Sequence, residues 1–302
     1  MKKQRIQIER SEKMSSSKKK FSKKQLFLKK IRTFLSSKKT VLLLVAVGVS
    51  LSTFIGTFAW FTSSDKQVNA FEGTHLVAQI DETFTPKIEW APGEQATKEV
   101  RIENTGETPA IVRVSLYEFL LNFQIDTTDQ TGNGNLKTVK QAVTPSVDGK
   151  DTDTWTAAAQ AHGTYQQGDQ YYVANQAWVS DPNNQTGMYE YGGTQQQTVP
   201  YKFITLNFTE QLKTTVDSSA TTDYWLYDAG YFYYSRPLQP GERSTDLLKS
   251  VTLAETIPNA YKGALYKIKV YMDAHDVTEP ILSAWNLNKE SPAYTLIESQ
   301  LN

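Results

Sequence analysis

The chain has 302 residues, no cysteine, and 32 basic against 32 acidic side chains, a formal net charge of zero. That zero is a cancellation: residues 1–39 hold 15 Lys/Arg and 2 Asp/Glu, a net of +13, so the remainder carries a net of −13. Without cysteine there is no disulfide framework, thiolate metal site or Cys nucleophile. An acidic body without a basic stripe argues against nucleic acid, which needs Lys and Arg against its phosphates.

Val41 to Phe61 are 21 residues without a charge. At ~1.5 Å per residue they make a helix of roughly 30 Å, enough to cross a bilayer. The cationic flank lies N-terminal, so the positive-inside rule keeps residues 1–39 as a basic cytoplasmic region and sends the body out. Residues 40–59 read as a hydrophobic signal segment. Thr57 and Ala59 supply the small residues at −3 and −1 of a signal-peptidase site, with the cut before Trp60. The competing reading is an uncleaved anchor in which Trp60 and Phe61 form the interfacial aromatic belt. Exported, cysteine-free and led by a Lys-rich region, the chain fits the surface of a Gram-positive bacterium.

The body, residues 60–302, reads as strands. In TKEVRIEN (97–104), Val100 and Ile102 share one face and Arg101 and Glu103 the other. After Asn104-Thr105-Gly106 and Pro109, a second run places Ala110, Val112, Val114 and Leu116 on one face. The pair is either an antiparallel hairpin or a short connection between two sheets. Residues 122–200 are rich in Thr, Gln, Asn, Gly and Asp but keep Trp155, Tyr165, Trp178 and Tyr189. A disordered linker has fewer aromatics, so this is an insertion between two strands, with short strands or turns of its own. YWLYDAGYFYY (224–234) is two aromatic runs around Asp228-Ala229-Gly230, a hairpin with a tight loop; a carbohydrate platform is the other reading of such rings. Pro92-Gly93-Glu94 and Pro240-Gly241-Glu242 each precede an extended run. The echo supports a two-part β fold, with two similar corners of one sandwich as the other reading, and is too short to establish a duplication. At 264–272, Ala264, Tyr266, Ile268, Val270 and Met272 alternate with Lys267 and Lys269, the pattern of a strand buried on one side. A short helix is expected after Pro280, before Ser291-Pro292.

Chemistry-bearing motifs are sparse. The histidines are His75, His162 and His275, and no HExxH is present. Asp273, His275 and Asp276 are the nearest approach to a ligand cluster, and read as solvated loop. The acidic run Asp148 to Asp153 has oxygen donors without EF-hand spacing. With no G-x-S-x-G and no phosphate-binding glycine loop, no catalytic residue, metal or cofactor is assigned, and the expectation is a protein that is not an enzyme. The C-terminal YTLIESQLN has no apolar tail or sorting motif, so covalent attachment to a cell wall is not expected.

GTFAWFTSSDKQVNAFEG (56–73), followed by THLVAQI, resembles the export and early mature region of TasA/camelysin-like exported proteins. The nearer likeness is to the BsaA-like biofilm matrix branch. APGEQATKEVRIENTGETPAIVRVSL (91–116) and DAGYFYYSRPLQPGE (228–242) extend the resemblance, which is weak over 122–200. It implies processing by a SipW-type signal peptidase. It also implies a role for the mature N-terminus in joining subunits, here Trp60, Phe61, Val68 and Phe71. The proteolytic association of camelysin is not carried over, since no metal site matches it. The expected fold is mainly β, an antiparallel β-sandwich of jelly-roll or immunoglobulin-like type with a large insertion. The expected function is a secreted structural protein of the biofilm matrix, a fibre-forming or fibre-associated subunit that self-associates by strand addition, with the membrane a partner only during export. The alternative is a membrane-tethered module that holds a glycan or protein through Trp155, Trp178 or Tyr189.

Overall fold

The computed structural model describes residues 60–61, 76, 78–84, 92–128, 135–140, 143–261 and 263–301. Among these the chain is mainly β, with thirteen strands in two sheets. In chain order they are β1 Trp60–Phe61, β2 Ala78–Phe84, β3 Gln95–Asn104, β4 Ala110–Phe123, β5 Thr138–Val139, β6 Thr164–Gln167 and β7 Gln170–Val179. The series continues with β8 Ile204–Phe208, β9 Leu212–Lys213, β10 Trp225–Asp228, β11 Tyr231–Tyr234, β12 Leu248–Leu253 and β13 Leu265–Asp276. Three short α-helices, Asp153–Gln160, Pro280–Ala284 and Pro292–Leu301, and four 3-10 turns complete the regular structure of the described residues. The last α-helix begins at Pro292 and lies beyond the short helix read from the sequence.

The smaller sheet has the order β2-β3-β12-β8. The larger runs β1-β13-β4-β11-β10-β9, with β7 also on β4 and β5 and β6 on β7. Its pairs are antiparallel except β1 with β13 and β9 with β10. β4 and β13 form its spine, paired without interruption from Leu265↔Leu121 to Asp276↔Ala110. On the other flank of β4, β11 takes the first half and β7 the second. The β3–β4 link is therefore a sheet-to-sheet connection, since the two strands lie in different sheets.

Three apolar clusters follow from the alternation of side chains along the strands. The first draws Val100, Ile102, Leu206 and Val251 from the smaller sheet and Val112, Val114, Leu116, Ile268 and Val270 from the larger. The second lies on the other face of the larger sheet, where Phe119, Leu121 and Phe123 meet Trp155, Val147 and Leu265. In the third, Ile111, Leu226 and Tyr233 meet Ile281, Leu296 and Ile297 of the C-terminal helices. The larger sheet is thus covered on both faces. This corrects the reading of β13 as buried on one side: Lys267 is only 1% exposed, and its Nζ donates to the Lys150 carbonyl in the insertion. A lysine stem is long and apolar enough to pack inside when its ammonium finds a carbonyl.

The two Pro-Gly-Glu turns are corners of one strand pair. β3 and β12 run antiparallel side by side, and each is led by one such turn with its glycine left-handed, Gly93 at φ 81 and Gly241 at φ 76. Gly93 N–H donates to the Leu253 carbonyl at the end of β12, and Gly241 N–H to the Asn104 carbonyl at the end of β3. Each turn closes the end of the other's strand.

Candidate functional site

The larger sheet ends in a strand edge, and the residues beside it are those of the candidate assembly segment. β1 lies parallel to the start of β13, with Trp60 opposite Leu265 and Phe61 opposite Tyr266. Among the described residues, β13 is paired along its length by β4 on one side and by Trp60–Phe61 at its start on the other. Alternate backbone N–H and C=O groups of such an edge can accept an added strand. Residues Thr57, Ala59, Val68 and Phe71 lie outside the described residues, and Trp60 and Phe61 are placed by their backbone pairing only.

Beneath the docking point the interior holds an ionisable group. Tyr266, the strand partner of Phe61, sends its side chain into the first cluster, where its hydroxyl donates to Glu118 Oε1 at 2.5 Å. Gln196 Nε2 donates to the other carboxyl oxygen at 3.3 Å. Glu118 is 1% exposed, and burial pushes its carboxyl up to about 7 against the opposing pull of these two hydrogen bonds. Burial, with the Glu118 charge second, raises Tyr201 to about 12 and also lifts Tyr189. Glu118 could have been found in the sequence: continuing the alternation past Leu116 through Leu120 puts position 118 on the inward face. A carboxyl there is the unusual residue of β4.

The other sequence candidates resolve into packing. Trp155 is fully buried, with Nε1 donating to the Asp148 carbonyl at 2.8 Å. Tyr189 is buried in the first cluster, and the Trp178 ring packs against Tyr261 at 5.8 Å. Trp155 and Tyr189 are thus interior rings and form no exposed platform, while Trp178 is half-buried. Asp148 and Asp151 accept from the backbone N–H groups of Lys150 and Asp153 ahead of the helix Asp153–Gln160. Asp273 and His275 do share a face of β13, as spacing suggests, but Asp273 binds Arg113 at 2.8 Å and His275 packs edge-on against Trp285. Among the described residues no group of three or more His, Asp or Glu could hold a metal ion, and no helix is long and apolar enough to cross a membrane. The aromatic hairpin has the expected form: β10 and β11 pair from Asp228↔Tyr231 to Trp225↔Tyr234 around a two-residue loop. Its rings divide between two clusters, Phe232 and Tyr234 in the first and Tyr224 and Tyr233 in the third.

No family model, curated protein or solved structure matches the chain.

Proposed function

We propose that this is an exported structural subunit of an extracellular biofilm matrix, assembling by addition of its N-terminal strand to the β13 edge of a neighbour. The observation that carries the reading is the parallel pairing of Trp60–Phe61 with Leu265–Tyr266. An extended segment that begins at the expected cleavage position pairs by its backbone with the start of β13. Main-chain hydrogen bonds supply affinity in such an addition, and the pockets for alternate side chains supply specificity. When the segment enters a second copy, the contact is head-to-tail and does not close, so it propagates into a filament.

In this reading the two sheets form a β-sandwich of jelly-roll or immunoglobulin-like type. Residues 1–59 are removed by a SipW-type signal peptidase, and the body is retained at a Gram-positive cell surface by assembly. The resemblance to TasA/camelysin-like proteins supports these points, as does the charge asymmetry around the apolar segment. The role is structural, with self-association or related matrix subunits as partners.

The test compares chains beginning at Trp60 and at Gly73 by size-exclusion chromatography and negative-stain electron microscopy. Filaments from the longer chain alone are expected. If both remain monomeric over days, autonomous strand addition is wrong and a tethered module becomes the better account.

A further inference from the structure

A cavity of about 460 Å³ opens on the face of the larger sheet that carries the C-terminal helices. Its floor is Arg113 of β4, whose guanidinium carbon lies 4.0 Å from the centre of the Tyr231 ring and 4.5 Å from that of Trp285. Arg113 Nε donates to Asp273 Oδ2 at 2.8 Å, and the side chain is only 11% exposed. The guanidinium is thus fixed by two rings and a carboxylate before any ligand arrives, which is the preorganisation a binding site requires.

The mouth is built from three separate loops, each with a left-handed residue. Among the described residues four other than glycine have positive φ, and three of them line this cavity: Gln185 at 56°, Ala229 at 47° and Asn286 at 48°. Left-handed backbone is tolerated by Asn and less so by other L-residues; here it belongs to three turns that converge on the cavity. Gln185 is also tied in, its Nε2 donating to the Tyr231 hydroxyl at 3.1 Å. With Asn288, the exposed rim carries three neutral amides.

The lining defines the ligand chemistry. The Arg113 charge is matched by Asp273, and Asp228 adds a further negative charge at the wall, so the cavity does not select a polyanion. Carboxamides donate and accept together, which suits hydroxyl groups that do the same. Aromatic rings with a polar tip suit a ligand with both apolar C–H faces and polar edges. The volume lies within the range of small-molecule sites. We infer that this cavity is a binding site for a neutral saccharide, with Trp285 and Tyr231 as its apolar walls and Gln185, Asn286 and Asn288 as its hydroxyl-reading rim.

The test is calorimetric titration of the full chain, as the producing cells leave it, with glucose, galactose, N-acetylglucosamine and their β-linked disaccharides, and with glucuronic acid as a charged control. Saturable binding of at least one neutral sugar is expected, with Kd in the millimolar range or tighter. Gln185→Gly and Asn286→Gly keep the left-handed backbone while removing an amide. Each should weaken binding roughly 3- to 10-fold without moving the thermal midpoint downward, and Trp285→Ala should abolish it. Absence of saturable binding to every neutral sugar, binding indifferent to all three substitutions, or tighter binding of glucuronic acid would each overturn the assignment.

Discussion

Tyr266 joins the strand edge to the interior: its backbone pairs with Phe61, and its hydroxyl donates to the buried Glu118 carboxyl at 2.5 Å. Burial holds Glu118 protonated up to about 7, and unfolding returns it to its ordinary 4.5. Between those values the native state holds a proton that the unfolded chain has lost, so stability falls as pH rises from 4.5 to 7. The loss is on the order of 3 kcal/mol, at about 1.4 kcal/mol per unit. Glu118→Gln keeps an amide that still hydrogen-bonds but does not titrate. Urea unfolding at a series of pH values should show this slope in the parent and its near absence in the variant, with the variant more stable at pH 8. Equal slopes in both would place the titrating proton elsewhere.

Asn104 is the buckle of the sheet-to-sheet corner, and it is fully buried. Its Nδ2 donates to the Thr108 and Leu238 carbonyls, each at 2.8 Å, while Oδ1 accepts from Gly106 N–H at 2.9 Å. Alanine leaves these groups without the side-chain partner that replaces water, so Asn104→Ala should destabilise by roughly 2–4 kcal/mol. Asn104→Asp should cost more, because a carboxylate would then face two carbonyl oxygens. The readout is the shift of the urea midpoint at unchanged slope.

Much of the β architecture was legible because alternation directly encodes which face of a strand is covered. Val100 with Ile102, Val112 with Val114, and Ile268 with Val270 all enter the cluster between the sheets, as their spacing requires. Alternation does not say what covers the other face. Lys267 read as an outward lysine, yet it is buried because a loop more than a hundred residues earlier brings the Lys150 carbonyl to it. The helix Asp153–Gln160 was missed for a related reason: DTWTAAAQ offers one large apolar residue, Trp155, so no helical stripe stands out. The cavity around Arg113 was not legible either. Its floor comes from β4, its walls from β11 and the C-terminal turn, and its rim from residues between 185 and 288. Only the fold brings these together.

Ala229 and Gly230 form the two-residue loop of the β10–β11 hairpin, with φ of 47° and 87°. Both positions favour glycine, and only the second has it. Ala229→Gly relieves an unfavourable backbone state but adds unfolded-state entropy, for a net stabilisation of about 0.5–1 kcal/mol. Gly230→Ala works in the opposite sense, since it adds the same strain and places a Cβ 2.2 Å from the terminal methyl of Met188. Thermal unfolding of the two single variants should give midpoint shifts of opposite sign. Shifts of the same sign would mean the loop conformation is not what limits this hairpin.

Trp155 decides whether the insertion and the sheet are one folding unit. Its ring is fully buried in the cluster with Phe119, Leu121 and Phe123 of β4 and Leu265 of β13, so it bridges the insertion to the spine of the larger sheet. Trp155→Ala removes a large ring from a packed interior and should destabilise by about 3–5 kcal/mol. Trp155→Phe keeps most of the apolar surface but withdraws the Nε1–H donor from the Asp148 carbonyl, and should lose about 1–3 kcal/mol. Because the cluster that holds the ring also takes residues from β4 and β13, the weakened protein should still unfold in one step, with far-ultraviolet circular dichroism and intrinsic fluorescence changing together. A ring serving as an exposed platform would instead leave stability within about 0.5 kcal/mol of the parent. Two separated transitions in Trp155→Ala would show that residues around the helix Asp153–Gln160 unfold apart from the strands they cover.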